Sequence, residues 1–209
     1  MPTLVPVVEG DGEMEAVPML LRRMLERMER WDWSVGKARK IGGIGKLRKE
    51  FDNLLQRLAT APDCDAILIL NDMDDGCPVT EALALAQRAR TLMLPCPVAL
   101  VLAHREYESW FLTSLPTIAG NYDLPANLVY QGEIEGRRDV KGWLSDQMPP
   151  GKIYKETIHQ VRMTGLLDID LALSSRSFQR FYHAVEELVG TGGVAERGYA
   201  TPAPAGDHP

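Results

Sequence analysis

Apolar positions follow two different periods along the first part of the chain. Short apolar runs predict strands, and longer stretches with apolar residues three and four apart predict amphipathic helices. Two of the strand runs are continuously apolar, which is typical of strands covered on both faces. The predicted strands are residues 3–8, 66–70 and 97–102, and the predicted helices are residues 13–31, 47–58, 80–94 and 106–115. This alternation predicts an α/β fold with a mostly parallel sheet flanked by helices.

The pattern weakens after Gly120. Residues 127–130 fit a short strand, residues 140–147 a short helix and residues 177–189 a final amphipathic helix. Residues 191–209 are rich in Gly, Ala and Pro, a composition that predicts disorder. We therefore expect one domain over residues 1–190, with a C-terminal helical extension and a disordered tail.

Pro6 is a local difficulty in the first predicted strand. Proline lacks the N–H group that an interior strand donates to its neighbour. We expect the strand to be irregular there, or hydrogen-bonded on one side only.

Acidic residues follow the first two predicted strands. Glu9 and Glu13 lie in V-V-E-G-D-G-E, and Asp72 and Asp74 lie in L-N-D-M-D-D. The carboxyl ends of parallel strands meet at one edge of a sheet, and residues two apart in an extended segment point to the same face. Carboxylates grouped in this way suit Mg²⁺ or Mn²⁺, which prefer hard oxygen ligands. The pattern predicts a metal-dependent phosphoryl-transfer site.

Neighbouring residues allow more than one interpretation. Glu106 and Glu108 follow the third predicted strand, and one of them is expected to add a ligand, with Glu106 favoured because it is closer to the strand. Glu13 could equally be an acid that stabilises a helix start. Asp75 fits a turn better than a metal site, because Asp-Gly is a turn dipeptide. His104 is expected to be hydrogen-bonded rather than a ligand.

Glycines and cations surround these acids. Gly10 and Gly12 are expected to adopt positive φ and to let the backbone approach a phosphate. The glycine-rich segment 37–49 contains Lys46, Arg48 and Lys49, which we expect to bind nucleic acid, a solvated face being the alternative. The segment lacks the G-x-x-x-x-G-K-[ST] pattern of a P-loop, so ATP hydrolysis by this chain alone is not expected.

Four segments together resemble an uncharacterised bacterial family with a Toprim-type fold. They are V-V-E-G-D-G-E, L-N-D-M-D-D, A-H-R-E-Y-E-S-W-F-L and D-V-K-G-W-L. Toprim domains occur in topoisomerases, bacterial primases and the nucleases of the overcoming-lysogenization-defect class. The resemblance implies that Glu9, Asp72 and Asp74 are catalytic metal ligands and that Glu13 is used as in the nuclease branch. It also matches Lys141 to a family position, where a lysine could stabilise charge on the scissile phosphate; a surface lysine is the alternative.

Bulk properties set the remaining expectations. The 209 residues carry a formal net charge of -6, which argues against a surface coated with basic residues but does not exclude nucleic acid as a partner. No apolar run approaches the ~20 residues that span a bilayer, and the N-terminus lacks the features of a secretory signal. We expect a cytoplasmic protein with no membrane partner.

The predicted function is Mg²⁺- or Mn²⁺-dependent hydrolysis of phosphodiester bonds in DNA or RNA. The resemblance implies a partner ATPase encoded nearby and a role in phage defence. The alternative is a non-catalytic metal-binding module that docks on the ATPase. A third option is nucleotidyl or small phosphoester chemistry.

Overall fold

The computed structural model describes residues 1–73 and 75–190. Asp74 and the predicted disordered tail, 191–209, lie outside the described residues. The strands of the described part are β1 (Thr3–Val8), β2 (Ser34–Val35), β3 (Arg39–Lys40), β4 (Ala66–Met73) and β5 (Val98–His104). Its α-helices are α1 (Glu13–Arg27), α2 (Ile44–Ala59), α3 (Pro78–Thr91), α4 (Ser109–Thr113), α5 (Leu115–Ile118), α6 (Val140–Asp146), α7 (Val161–Leu166), α8 (Ile169–Ala172) and α9 (Arg176–Gly190). A π-helical turn, Glu156–Gln160, runs directly into α7.

The strands form one parallel sheet in the order β2-β1-β4-β5, with β3 also paired to β1. Leu4 pairs with Ala66 in the β1–β4 register, and Met73 pairs with His104 in the β4–β5 register. The strands therefore end together at one edge, which we call the carboxyl edge. This arrangement confirms the predicted α/β fold with a mostly parallel sheet and a C-terminal helix.

Helices cover both faces of the sheet, as the continuously apolar strands require. Leu68 and Leu70 of β4 belong to the core that includes α1, α4 and α9. Ile67 and Ile69, one residue out of phase, belong to the core formed with α2 and α3. Met73 has the same parity as Ile69 and packs into that second core, so Asp72 lies on the α1 face.

Pro6 falls where the strands beside β1 are interrupted. β2 pairs with Thr3 and Leu4, whereas β3 pairs with Val7 and Val8. The carbonyl of Leu4 accepts from the backbone N–H of Gly36, so backbone groups of the same parity, including the missing N–H of Pro6, face this side. On the other side β1 pairs with β4 without a break. Pro6 is thus paired on one side only, as expected.

Several predicted bounds were wrong. Helix α1 ends at Arg27 rather than Trp31, because Glu29 adopts φ 55°, which ends the helix. The two-residue strands β2 and β3 were missed, since so short a segment carries no periodicity. Residues 106–115 form two short helices, the second beginning at Leu115, instead of one long one. Residues 127–130 form no strand, and Val129 is exposed.

No helix in the described ranges is long and apolar enough to cross a membrane.

Candidate functional site

Glu9 joins the ends of two neighbouring strands. It follows the last residue of β1, and its Oε2 accepts a hydrogen bond of 3.0 Å from the backbone N–H of Asp72. Its own carbonyl accepts from the backbone N–H of Gly42, 3.0 Å away, which ties the loop after β3 to the same point. Glu9 and Asp72 are therefore brought together at the carboxyl edge, as the strand-end pattern predicts.

Glu13 is the first residue of α1 and only 4% exposed. Its Oε2 accepts from the backbone N–H groups of Glu9, at 2.7 Å, and Gly10, at 3.0 Å. Burial raises the pKa of Glu13 from 4.5 to about 7, helped by the charge of Glu9 and opposed by these two hydrogen bonds and by Lys141. Its carboxyl group thus fastens the loop between β1 and α1 while contributing charge to the site.

Asp72 lies near the end of β4, directly before Met73, and is partly buried. Its Oδ1 accepts a hydrogen bond of 3.0 Å from the backbone N–H of Tyr107. Burial raises the pKa of Asp72 well above its usual range, and the nearby charges of Glu13, Glu108 and Glu9 raise it further. A carboxyl group among three others holds its proton more tightly than in water.

Glu108 is the fourth member of this group, which we call the acid cluster (Glu9, Glu13, Asp72 and Glu108). Its side chain is fully buried. Oε1 accepts from the Tyr154 hydroxyl at 2.9 Å and from Nε2 of Gln160 at 3.1 Å, while Oε2 is buried without a hydrogen-bond partner. Burial raises the pKa of Glu108 from 4.5 to about 8.

Glu106, which the sequence favoured over Glu108, has a different place. Its Oε2 accepts a hydrogen bond of 2.9 Å from the backbone N–H of Val140, the first residue of α6. The charge of Glu108, by contrast, helps to raise the pKa of Asp72. Glu108 thus lies near Asp72, whereas Glu106 fastens the start of α6 and acts on Glu108 through its charge.

Lys141 is the cation nearest to Glu108. Its Nζ lies 3.8 Å from Oε2 of Glu108 and also forms an ion pair with Glu156. Burial lowers the pKa of Lys141, but the charges of Glu108, Glu156 and Asp72 outweigh burial, and the pKa is raised overall. Lys141 therefore stays protonated and partly offsets the negative charge of the acid cluster.

The π-helical turn closes one side of the site, and sequence analysis missed it. A Cβ placed on Gly12 would lie 2.1 Å from Oε1 of Gln160 and 2.9 Å from the carbonyl oxygen of Glu156. Gly12 has φ -63°, and Gly10 has no positive φ either. The expected positive φ was therefore wrong, and Gly12 makes room for the π-helical turn. Single π-helical turns within helices are frequent at functional sites.

The three predicted nucleic-acid-binding residues lie on α2 but in different settings. Lys46 and Lys49 are exposed. Arg48 is held by a bidentate ion pair with Glu81, with N–O distances of 2.7 and 2.8 Å. Its guanidinium group is therefore held by a carboxylate of α3.

Three further polar residues form local contacts. The backbone N–H of His104 donates to Oγ of Ser177, and Asp139 caps α6 by accepting from the backbone N–H of Gly142. Asp75 forms ion pairs with Arg105 and Arg138.

Within the ranges that the structure describes, no three acidic, histidine or cysteine side chains meet closely enough to form a ready-made metal site. No curated protein shows significant similarity to the chain. A family profile, described as a domain of unknown function, matches residues 8–186, which include every member of the acid cluster. Because the match extends over most of its length, the chain belongs to the DUF4276 family.

Proposed function

We propose that this chain hydrolyses phosphodiester bonds in nucleic acid, using Mg²⁺ or Mn²⁺ held by the acid cluster. The observation that carries the proposal is that Glu9, Glu13 and Glu108 lie near enough to Asp72 for their charges to raise its pKa, at the carboxyl edge and beside a lysine. Burying like charges together costs free energy, and a bound divalent cation would offset that cost.

The acid cluster suits a divalent cation. Oε2 of Glu108 is buried without a hydrogen-bond partner, and the pKa values of Glu13, Asp72 and Glu108 are raised. A bound cation would give that oxygen a partner and would lower these pKa values. The residues that would hold it are Glu9, Glu13, Asp72 and Glu108. Asp74, two residues beyond Asp72, remains a predicted ligand. When bound, Mg²⁺ or Mn²⁺ activates a water molecule and neutralises the leaving oxygen.

Lys141 supplies the positive charge of the proposed site. Its ammonium group is protonated and lies between Glu108 and Glu156. In this proposal Lys141 donates hydrogen bonds to a non-bridging oxygen of the scissile phosphate and stabilises the charge that develops there. It is fixed for this task by the two carboxylates, so little reorientation is needed.

The resemblance to Toprim nucleases supports the same reaction class. In the full form of the proposal, the chain is a Toprim-type nuclease that works in the cytoplasm, with a partner ATPase encoded nearby, in defence against phage. Of the residues that carry the resemblance, Glu9 and Asp72 belong to the acid cluster and Lys141 lies beside it.

Purified chain should be incubated with Mn²⁺ and plasmid, single-stranded DNA or RNA, alone and with the neighbouring ATPase. Glu9→Gln and Asp72→Asn preserve shape while removing charge, so each should lower cleavage by orders of magnitude. Glu108→Gln should do the same, whereas Glu106→Gln should act mainly on stability. Glu15→Gln is the matched control, because Glu15 is an exposed acid on the first turn of α1.

Cleavage by Glu9→Gln and Asp72→Asn at the wild-type rate would refute the proposed site. The wild-type chain would instead be a non-catalytic module if it bound Mn²⁺ through the acid cluster and also bound the ATPase, yet cleaved no substrate.

A further inference from the structure

Two arginines converge on one exposed carboxylate beside the acid cluster. Arg105 directly follows β5, and Arg138 lies in the loop before α6. Oδ1 of Asp75 is 3.1 Å from Nη2 of Arg138 and 3.8 Å from Nη1 of Arg105. The Asp75 side chain is 82% exposed, and such exposed ion pairs contribute little to stability. Two guanidinium groups around one acidic oxygen are also an arrangement that binds a phosphate oxygen.

A second cation holds an exposed carboxylate on the opposite flank. Lys40 is the last residue of β3, and its Nζ lies 2.7 Å from Oδ2 of Asp11 in the loop after β1. The side chains of Lys40 and Asp11 are 45% and 68% exposed. Each flank thus presents a cation paired with an acid: Asp11 lies in the loop that carries Glu9, and Asp75 follows β4, the strand that carries Asp72.

Sheet topology arranges these charges in a line. Across the carboxyl edge, in the strand order β3-β1-β4-β5, the charged residues at or next to the strand ends include Lys40, Glu9, Asp72 and Arg105. The order is cation, acid, acid, cation. Three strand spacings of about 4.8 Å put the flanks at least roughly 14 Å apart, which is roughly four nucleotides or more at about 3.4 Å each.

We propose that the carboxyl edge binds a polynucleotide strand across all four strand ends. Phosphates on either side of the scissile one bind Lys40 on one flank and Arg105 with Arg138 on the other, in place of Asp11 and Asp75. The inference rests on the proposed function and specifies its substrate as a strand of roughly four nucleotides or more, rather than a mononucleotide. Asp75 competes with the incoming phosphate for the two arginines.

Binding can be measured apart from cleavage. Fluorescence anisotropy with labelled oligothymidylates and oligouridylates, from about two to about twelve nucleotides, should be recorded in Ca²⁺ over a series of salt concentrations, with gels to confirm intact probe. Affinity should rise steeply up to about four nucleotides and more slowly beyond. Arg105→Gln combined with Arg138→Gln should weaken binding at least tenfold and flatten the salt slope by about 0.7 per lost contact. Asp75→Asn should tighten binding.

Arg27→Gln is the matched control. Arg27 also forms a bidentate ion pair with an exposed acid, Asp170, but it ends α1 about 20 Å from the helix start. Binding by this variant should equal that of wild type. A dinucleotide that binds as tightly as the longest probe, an unchanged salt slope in the double arginine variant, or no binding of any probe would overturn the inference.

A parallel cleavage assay with Mn²⁺ separates this inference from the proposed function. If wild type cleaves nucleic acid and the double arginine variant has an unchanged salt slope, strand binding across the carboxyl edge is refuted but the proposed hydrolysis is not. If affinity depends on oligonucleotide length and on salt as predicted but no probe is cleaved, strand binding across the carboxyl edge is supported and hydrolysis is refuted.

Discussion

The hydroxyl group of Tyr154 donates a hydrogen bond of 2.9 Å to Oε1 of Glu108, and both side chains are buried. Burial and the charge of Glu108 raise the pKa of Tyr154 well above its usual value, so the hydroxyl keeps its proton and remains the donor. Nε2 of Gln160 donates to the same oxygen. These two donors leave Oε2 as the atom of Glu108 that faces Lys141.

Tyr154→Phe tests whether this hydrogen bond positions Glu108 for metal binding. Loss of a donor behind a metal-ligating carboxylate typically costs about 10-fold or more in metal affinity or activity. Titration with Mn²⁺, followed by the melting temperature, should therefore show weaker binding by the variant. Tyr130→Phe is the control, because the Tyr130 hydroxyl contacts the carbonyl of Glu133 at 3.4 Å, far along the chain from Glu108. Equal Mn²⁺ affinity in wild type and Tyr154→Phe would show that Tyr154 has no positioning role.

Gly12→Ala should destabilise the protein through a steric clash. The added Cβ would meet Gln160 and the carbonyl of Glu156 at the distances of a severe overlap, and overpacking of this kind costs about 1–3 kcal/mol. Gly45→Ala is the opposite case, since nothing lies within 4 Å of its Cβ position in α2, and it should gain up to about 1 kcal/mol. Urea unfolding measures both. A Gly12→Ala variant as stable as wild type would mean that the π-helical turn moves away freely.

The parts of the site that follow strands could be predicted from sequence, because the ends of strands are marked locally. The apolar run of β1 stops at Val8 and is followed by Glu9, and the run of β4 gives way to the acids after Leu70. In a parallel sheet these ends must meet at one edge. The proximity of Glu9 and Asp72 could therefore be predicted from the sheet topology alone, without knowing any side-chain contact.

The remaining parts depend on contacts between segments far apart in sequence. Glu106 and Glu108 are alike in type and position, and only the path of the chain into α4 turns Glu108 inward. Tyr154 and Gln160 lie in a region of weak periodicity and reach Glu108 across 46 and 52 positions of sequence. Gly12 was the one local signal of the π-helical turn, but glycine between a strand and a helix equally indicates an ordinary turn.

The metal-free protein should lose stability as pH rises from mildly acidic to mildly basic. The folded-state pKa values of Glu13 and Glu108 are raised from 4.5 to about 7 and about 8. Groups with raised pKa values stabilise the fold below about pH 4.5, and that contribution is lost as pH rises through about 7 and 8, on the order of a few kcal/mol in total. Denaturant unfolding in EDTA across this range measures the loss.

One variant separates the contribution of the carboxyl groups to the pH dependence of stability from that of the histidines. Burial lowers the pKa values of His104 and His159, which makes the fold more stable as pH rises through about 6.5 and so opposes the trend. Glu108→Gln keeps these histidines and removes one titrating carboxyl group. Its stability should therefore fall less than that of wild type between pH of about 7 and about 8.5. Parallel pH profiles for the two proteins would contradict a raised pKa at Glu108.

Loss of one acid should raise stability in chelator but should reduce the stabilisation that added metal provides. The charges of Glu9, Glu13 and Glu108 all act on Asp72, so Asp72→Asn removes a repelling charge, while Oδ1 of the asparagine can still accept from Tyr107. In chelator this variant should melt at a higher temperature than wild type. At free Mn²⁺ about a hundred times the dissociation constant, a single site stabilises wild type by roughly 2.7 kcal/mol, and the variant, having lost a ligand, should gain less. Glu15→Gln, on the exposed side of α1, should behave as wild type in both conditions.

Metal-induced shifts of equal size in wild type and Asp72→Asn would place the cation away from the acid cluster, because loss of the Asp72 charge must weaken the binding of a cation that Asp72 holds.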